Sequence, residues 1–431
     1  MSTWWAKIAC LLLLSLCCAC GDKSSSESPT PEPTSAPDSV PKLILESTPI
    51  NKTPRTIILY MAGDNTLSFL LKTNGESGDF AELLAGAAQL DANKLSQNNI
   101  LLFADNSDEH FIPTIWRLGK TSDGKAILEE VKVFDTDVLS TDPTVIKEVI
   151  NFATTRYPAN SYGFVYWSHG DGWQYIGIDQ QNGTLKGDAR GKTAISGLAE
   201  ALSSAGKKFD FVMFDACYML SMEVAYELRN CTKYIVASPT ETPGPGAPYD
   251  TMLAAMLTDA NTPVAMGQAF FDYYNRCYEG DNNSIPTNNS WHGGVSIGVV
   301  DCEVLELLAK TTAEGLKGVT DVDNVALREA IFTYDRRNFV DRHYNFDMVD
   351  LMKTLMKEDT YATWLNVYQH ALVAWHTTPK YYSSAQRWFS METAHGITHY
   401  IPKTNDISDD MDIAYHATSW YKDAGLSQLG W

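Results

Sequence analysis

Between residues 53 and 260, short and almost unbroken apolar runs alternate with stretches in which apolar residues recur at helical spacing. Arg55 to Ala62 (RTIILYMA), Asn99 to Ala104 (NILLFA), Tyr162 to Trp167 (YGFVYW), Phe209 to Phe214 (FDFVMF) and Tyr234 to Ala237 (YIVA) read as buried strands. Phe80 to Leu95, Asp142-Pro143 to about Thr155, Thr193 to Ala205 and Met219 to Arg229 read as the helices between them. Trp116 and the stretch Ile127 to Phe134 are shorter and more polar, as in a hairpin at a sheet edge. Strands this apolar need cover on both faces, so the alternation predicts an α/β/α sandwich around a mainly parallel sheet. Ligands of such sheets bind beyond the carboxyl ends of the strands. Function is therefore expected in the residues just after each strand.

A Pro/Gly-rich loop, Ser238 to Pro248 (SPTETPGPGAP), closes this region and is too long and stiff for a simple turn. From Tyr249 to about Cys277 and from Cys302 to about Trp375 the pattern is helical, interrupted by short strands at Gly294 to Val300 and near Ile397 to Ile401. The expected organisation is an α/β domain over 53–260 and a mostly helical extension over 261–431 packed on it. No internal repeat is present.

The N-terminus reads as a targeting segment. Lys7 precedes the apolar run Ile8 to Leu16, which is too short to span a bilayer. The run ends in Cys17, Cys18, Ala19, Cys20 and Gly21, similar to a bacterial lipoprotein cleavage site in which Cys20 becomes the acylated first residue; an ordinary cleaved signal is the alternative. After this signal over 1–20, residues 21–52 are rich in Ser, Pro, Thr and Glu and form an extended tether. The expectation is an exported monomer, lipid-anchored at the periplasmic face or the cell surface of a bacterium.

The remaining composition narrows the partners. In 431 residues the apolar share is 44%, enough for a large core, and the formal net charge is −20. No basic stripe is visible, which excludes nucleic acid as an expected partner. Cys217, Cys231, Cys277 and Cys302 lie beyond the signal without CxxC spacing, which argues against a zinc cage and a disulfide framework and leaves a thiol free for chemistry.

Two strand ends carry that chemistry. The first is Trp167-Ser168-His169-Gly170-Asp171-Gly172-Trp173, a histidine at the sheet rim among glycines that admit a substrate backbone. The second is Phe214-Asp215-Ala216-Cys217-Tyr218-Met219, a cysteine between a strand and an expected helix, whose N-terminus would acidify the thiol. Either residue alone is as readily a packing residue, and His292-Gly293 and His395-Gly396 repeat the His-Gly pair elsewhere. Together, following successive buried strands and 48 residues apart, they fit an imidazole-activated thiol nucleophile with an oxyanion hole at the Gly170 and Cys217 N–H groups. Caspases show a His-to-Cys spacing of about 50 residues.

FVYWSHGDGW and FDFVMFDACYMLSMEVAYEL resemble the His-Gly and Asp-Ala-Cys blocks of the clostripain family of cysteine peptidases, and RTIILYMAGDNTLS, SPTETPGPGAPYD, FDMVDLMKTL and AHGITHYIP extend the resemblance over most of the chain after Lys52. The resemblance implies a caspase/gingipain-like fold, His169 and Cys217 as the catalytic pair, and cleavage after Arg or Lys. It also implies that Asp215 binds the basic side chain, with Glu241 in the following loop as the nearest second acid. Asp215 capping the next helix is the structural alternative. Calcium dependence is common in the resembling family; the chemistry itself needs no cofactor, and acids such as Asp281 and Asp347 are too scattered in sequence to name ligands. The polar stretch Asp179 to Lys192 holds Lys186, Arg190 and Lys192, residue types such an enzyme would cut, so self-processing of a zymogen is expected there. The alternatives are a lipid-anchored binding protein with this fold that has lost hydrolysis, and a cysteine peptidase of other specificity.

Overall fold

The computed structural model describes residues 55–72, 77–258, 260–282, 284–286, 290–335, 343–383, 387–403 and 410–431. The signal segment, the tether and Cys20 lie outside the described residues.

Five strands run parallel at the centre of one sheet: β1 (Arg55–Gly63), β2 (Asn99–Asn106), β5 (Ser161–Trp167), β8 (Phe209–Asp215) and β9 (Thr232–Ala237). On one flank β3 (Thr114–Lys120) and β4 (Ala126–Val133) add antiparallel strands, forming the expected edge hairpin. On the other flank β10 (Ser296–Asp301) and β12 (Leu372–Thr377) do the same, giving the order β12-β10-β9-β8-β5-β1-β2-β3-β4. Three two-stranded pieces stand apart among the described residues: the hairpin of β6 (Ile176–Asp179) with β7 (Gly191–Thr193), the hairpin of β13 (Lys380–Ser383) with β14 (Arg387–Ser390), and the short β11 (Phe346–Asp347) paired with β15 (Thr398–His399).

Side chains alternate between the two faces, so β1 feeds two cores. Ile58 and Tyr60 enter one, with α3 (Pro143–Arg156), α4 (Ile195–Ser203) and α5 (Met222–Leu228) over it; Ile57, Leu59 and Met61 enter the other, under α1 (Asp79–Gln89), α6 (Tyr249–Met256) and α7 (Thr262–Gly280). This is the expected sandwich, and it explains why the central strands are apolar on both sides.

Several boundaries differ from expectation for local reasons. The helix read over Phe80 to Leu95 breaks after α1, because Leu90 is extended and Asp91 caps α2 (Ala92–Ser96) by accepting from the N–H groups of Asn93 and Lys94. The helix read from Thr193 starts at Ile195, because Thr193 pairs with Ile176 in the β6/β7 hairpin. Residues 261–431, read as a mostly helical extension packed on the α/β domain, also contribute β10 and β12 to the same sheet, and the described residues form one compact unit. Trp375, read as the end of a helical stretch, lies in β12 opposite Gly298. The helices in this part, α8 (Leu305–Gly315), α9 (Asn324–Ala330), α10 (Met348–Leu355) and α11 (Glu358–Ala371), agree with the pattern. No described helix is long and apolar enough to cross a membrane.

Candidate active site

His169 and Cys217 follow neighbouring parallel strands whose last residues face each other, Trp167 against Asp215. The turn after β5 is pinned by buried polar groups. Ser168 Oγ donates to Ala62 O at 2.7 Å and accepts from Ile178 N–H at 3.2 Å, while Asn65 Nδ2 donates to Ala62 O at 2.9 Å and Ile178 O at 2.8 Å. His169 is left half-buried, with its Nε2 bonded to Thr66 Oγ1 at 2.8 Å. That contact occupies one ring nitrogen and leaves Nδ1 for proton transfer. Thr66 was not singled out in the sequence, because only the return of the chain beside β5 places it there. Burial, and then the positive charge of Arg190, push the His169 pKa below its usual value.

The turn after β8 is anchored to the end of β9. Tyr218 N–H donates to Thr240 O at 2.9 Å and Leu220 N–H to Ser238 O at 3.0 Å, with Tyr218 held at φ +64°. A bulky residue in this left-handed region is strained, and such strain clusters at functional sites. The expected helix start does not lie at Cys217. Residues 216–221 form an irregular turn and α5 opens at Met222 after the N-cap Ser221, so no helix terminus acidifies the thiol. Burial, followed by the carboxylates of Glu241, Asp171 and Asp215, pushes its pKa up to about 12, against a single N–H from Thr242 to Sγ at 3.3 Å. Both shifts favour a neutral thiol and a neutral imidazole.

The two turns touch through Gly170. A Cβ there would lie 2.9 Å from Cys217 O and 2.8 Å from Met219 Sδ, so a side chain at this position would push the His169 turn away from Cys217. The N–H groups of Gly170 and Cys217 donate to no acceptor among the described residues.

His169, Cys217 and Asp215 line one cavity of about 120 Å³, walled by Leu67, Trp167 and the 242–246 loop. Asp215 is 4% exposed and caps no helix: its Oδ2 accepts from Ala247 N–H at 2.9 Å and Tyr249 OH at 3.0 Å, which braces the loop. Burial pushes its pKa up to about 6, against those two bonds. Gly246, at φ +84°, brings its backbone close enough that a Cβ would meet Asp215 Oδ2 at 3.2 Å. Asp79, at the start of α1, is 1% exposed with no partner on either carboxylate oxygen, and the charge of Asp215 acts on it. Burial, followed by the charges of Asp215 and Glu82, holds its carboxyl well above the usual carboxylate range, and it was not legible in the sequence. Glu241 does not line the cavity; its carbonyl accepts from Tyr381 OH, and its charge reaches Cys217. Lys186 and Lys192 are exposed, while Arg190 is half-buried and near enough to act on His169. All four described cysteines are free thiols.

One group among the described residues is a candidate for a metal. Asp347, Asp350 and His395 place ligand atoms within 4.8 Å of one another. Asp347 is already satisfied there: it caps α10 and takes His395 Nδ1 at 3.0 Å and Tyr334 OH at 2.6 Å. A histidine–carboxylate ion pair of this kind does not suit calcium, which takes six to eight oxygens. Asp281 lies 3.9 Å from His292 and does not join this group. Asp64, Asp105, Asp137 and Asp179 gather separately round the loop after β6.

The sequence profile of the clostripain family matches residues 59–430. No curated protein sequence matches the chain. Among solved structures, a secreted C11 cysteine protease from Bacteroides thetaiotaomicron in complex with an irreversible peptide inhibitor is 31% identical with a TM-score of 0.75, over 86% of this chain and 99% of that one. An inactive zymogen C11 protease from Parabacteroides distasonis is 26% identical with a TM-score of 0.70, over 86% and 98%.

Proposed function

The chain belongs to the clostripain family of cysteine peptidases, and from that premise we propose that Cys217 and His169 cleave peptide bonds after arginine or lysine. The reading rests on one observation above all: the two residues line a single cavity with a buried carboxylate, Asp215. Cys217 passes its proton to His169 and its sulfur attacks the scissile carbonyl. The negative oxygen forms beside the Gly170 and Cys217 N–H groups. His169 returns the proton to the leaving amine and an acyl thioester remains. His169 then deprotonates a water, the thioester is cleaved to a carboxylic acid, and the thiol is restored. Thiol, imidazole and water balance every step. A panel of fluorogenic peptides varied at P1 tests the specificity: Lys and Arg peptides should be cut and their norleucine counterparts should not, and equal cutting of all three refutes it.

We infer that the chain is made latent and cuts itself within 179–192. Lys186 is exposed on this stretch and Lys192 is exposed in β7, and the charge of Arg190 depresses the basicity of His169 while the chain is whole. The 26% identical relative named above was solved as an inactive zymogen. Incubated wild type should yield two fragments with a junction after Lys186, Arg190 or Lys192, and the fragments should react with iodoacetamide at Cys217 faster than the whole chain. A whole chain that is fully active excludes this, and equal cutting of Cys217→Ala assigns the cut to another protease.

Export with a lipid on Cys20 is proposed from the Ala19-Cys20-Gly21 junction and the polar tether behind it. Mass spectrometry of the mature N-terminus should find a diacylated or triacylated Cys20; an unmodified terminus elsewhere refutes it.

A further inference from the structure

Among the described residues no carboxylate bonds to the ring of His169, so its orientation has another source. The backbone of its turn is fixed: His169 O accepts from Gly177 N–H at 2.8 Å, and Ser168 N–H donates to Asp215 O at 3.4 Å. Those bonds leave the ring free to turn about its side-chain torsions. The ring has one partner among the described residues, Thr66 Oγ1, 2.8 Å from Nε2. Thr66 is delivered there by its neighbour. Asn65 is 3% exposed, and its Oδ1 accepts from Leu67 N–H at 2.9 Å, closing a turn across Thr66. Its Nδ2 reaches Ala62 O, Ile178 O and Ser168 Oγ. One amide thus ties the turn after β1 to β6 and to the residue before His169. Thr66 itself is exposed, belongs to neither core, and makes no other hydrogen bond among the described residues. Nothing in the packing of the fold asks for its hydroxyl.

The chemistry does ask for it. A neutral imidazole carries one N–H, and which nitrogen holds it is set by the bond the other atom of the pair makes. For Nδ1 to take the Cys217 proton, the resting N–H must sit on Nε2. Thr66 Oγ1 is then its acceptor. We propose, resting on the cysteine–histidine reaction above, that Thr66 is a positioning residue: its hydroxyl holds His169 in the Nε2–H tautomer and keeps the ring in place while Nδ1 takes the thiol proton. The proton moves from Cys217 Sγ to Nδ1, Nε2–H stays where it is, and Thr66 neither gains nor loses a proton. Once the ring is charged, the same bond becomes charge-assisted and stronger. It therefore favours the imidazolium formed on the way to the acyl thioester more than the resting ring.

A bond that strengthens as the reaction proceeds acts on turnover and leaves substrate binding alone. It also moves the titration of the ring. The charge acting on His169 is that of Arg190, while the carboxylates of Glu241, Asp171 and Asp215 act on Cys217. A substitution at Thr66 changes none of these. An acceptor on the charged ring favours the charged form, so removing it lowers the pH at which His169 takes up its proton. The base is the neutral ring, so the acid limb of kcat/KM should move to lower pH with it.

The test compares wild type, Thr66→Val and Thr66→Ser in one processing state, checked by mass spectrometry, with rates referred to sites titrated by an irreversible lysyl ketone. Thr66→Val keeps the shape and removes the hydroxyl. It should lower kcat for a lysyl peptide about tenfold or more, leave KM unchanged, and shift the acid limb of kcat/KM to lower pH. Thr66→Ser should keep most of the turnover and the wild-type profile. Both should melt with the wild type, because the position is exposed. A second readout needs no turnover. In ¹⁵N-histidine-labelled Cys217→Ala protein, with the His169 signals assigned by their loss in the His169→Ala double variant, the ring nitrogens should show the Nε2–H form at neutral pH. Thr66→Val should lower the titration midpoint of those signals and Thr66→Ser should not. Undiminished or raised kcat in Thr66→Val, equal losses in Val and Ser, or a resting Nδ1–H form would each overturn the assignment. A wild type that cuts no peptide, or cuts norleucyl peptides equally well, sinks the proposed function instead, and the nitrogen signals then still decide what Thr66 does.

Discussion

Cys217→Ala is expected to lower turnover of lysyl and arginyl peptides by about four orders of magnitude or more, with the melting temperature essentially unchanged. The proposed nucleophile lies on an irregular turn rather than in either core, so its loss should not disturb packing. His169→Ala should cost about as much, and the double variant little more than either single one, because nucleophile and base act as a unit. Steady-state kinetics on purified variants reads all three. Substantial activity in Cys217→Ala would remove the mechanism.

The second large effect is expected at Asp215. Asp215→Asn can still accept from Ala247 N–H and Tyr249 OH, so the loop it braces should hold. What disappears is the charge facing a substrate guanidinium or ammonium. Leaving one partner of a buried charged pair unpaired costs about 3 kcal/mol, or about a hundredfold in kcat/KM for lysyl and arginyl peptides. Residual cutting of norleucyl peptides should not fall. The wild type should show a related pH effect. With the Asp215 pKa pushed up to about 6, the carboxyl is protonated below that value, so the ratio of kcat/KM for lysyl over norleucyl peptides should fall as the pH drops through 6. A uniform loss across all P1 residues, with a lower melting temperature, would make Asp215 structural only.

What the chain disclosed in advance follows from where information lies. YGFVYW and FDFVMF are apolar on both faces, and that continuity alone required a covered parallel sheet with function at its carboxyl edge. His169 and Cys217 were legible because each immediately follows such a run. Thr66, Asp79 and the Asp64–Asp105–Asp137 group were not, because they come together from separate turns and strand ends, and no local pattern marks an unpartnered carboxylate. The helix start at Cys217 was misread because Met219 and Leu220, apolar at helical spacing, instead pack from an irregular turn tied to Ser238 and Thr240. β12 escaped for the opposite reason: Leu372 to Thr377 is only partly buried at a sheet edge and continues directly from α11.

The central claim is that Cys217 is the nucleophile of a site shaped for a basic side chain. Its most direct test is to treat self-processed protein with an irreversible peptide ketone carrying lysine at P1 and to map the adduct by mass spectrometry. One adduct per chain on Cys217, blocked by excess lysyl substrate and absent with the norleucine analogue, is the predicted result. An adduct on Cys231, Cys277 or Cys302, or equal labelling by the norleucine analogue, would contradict it.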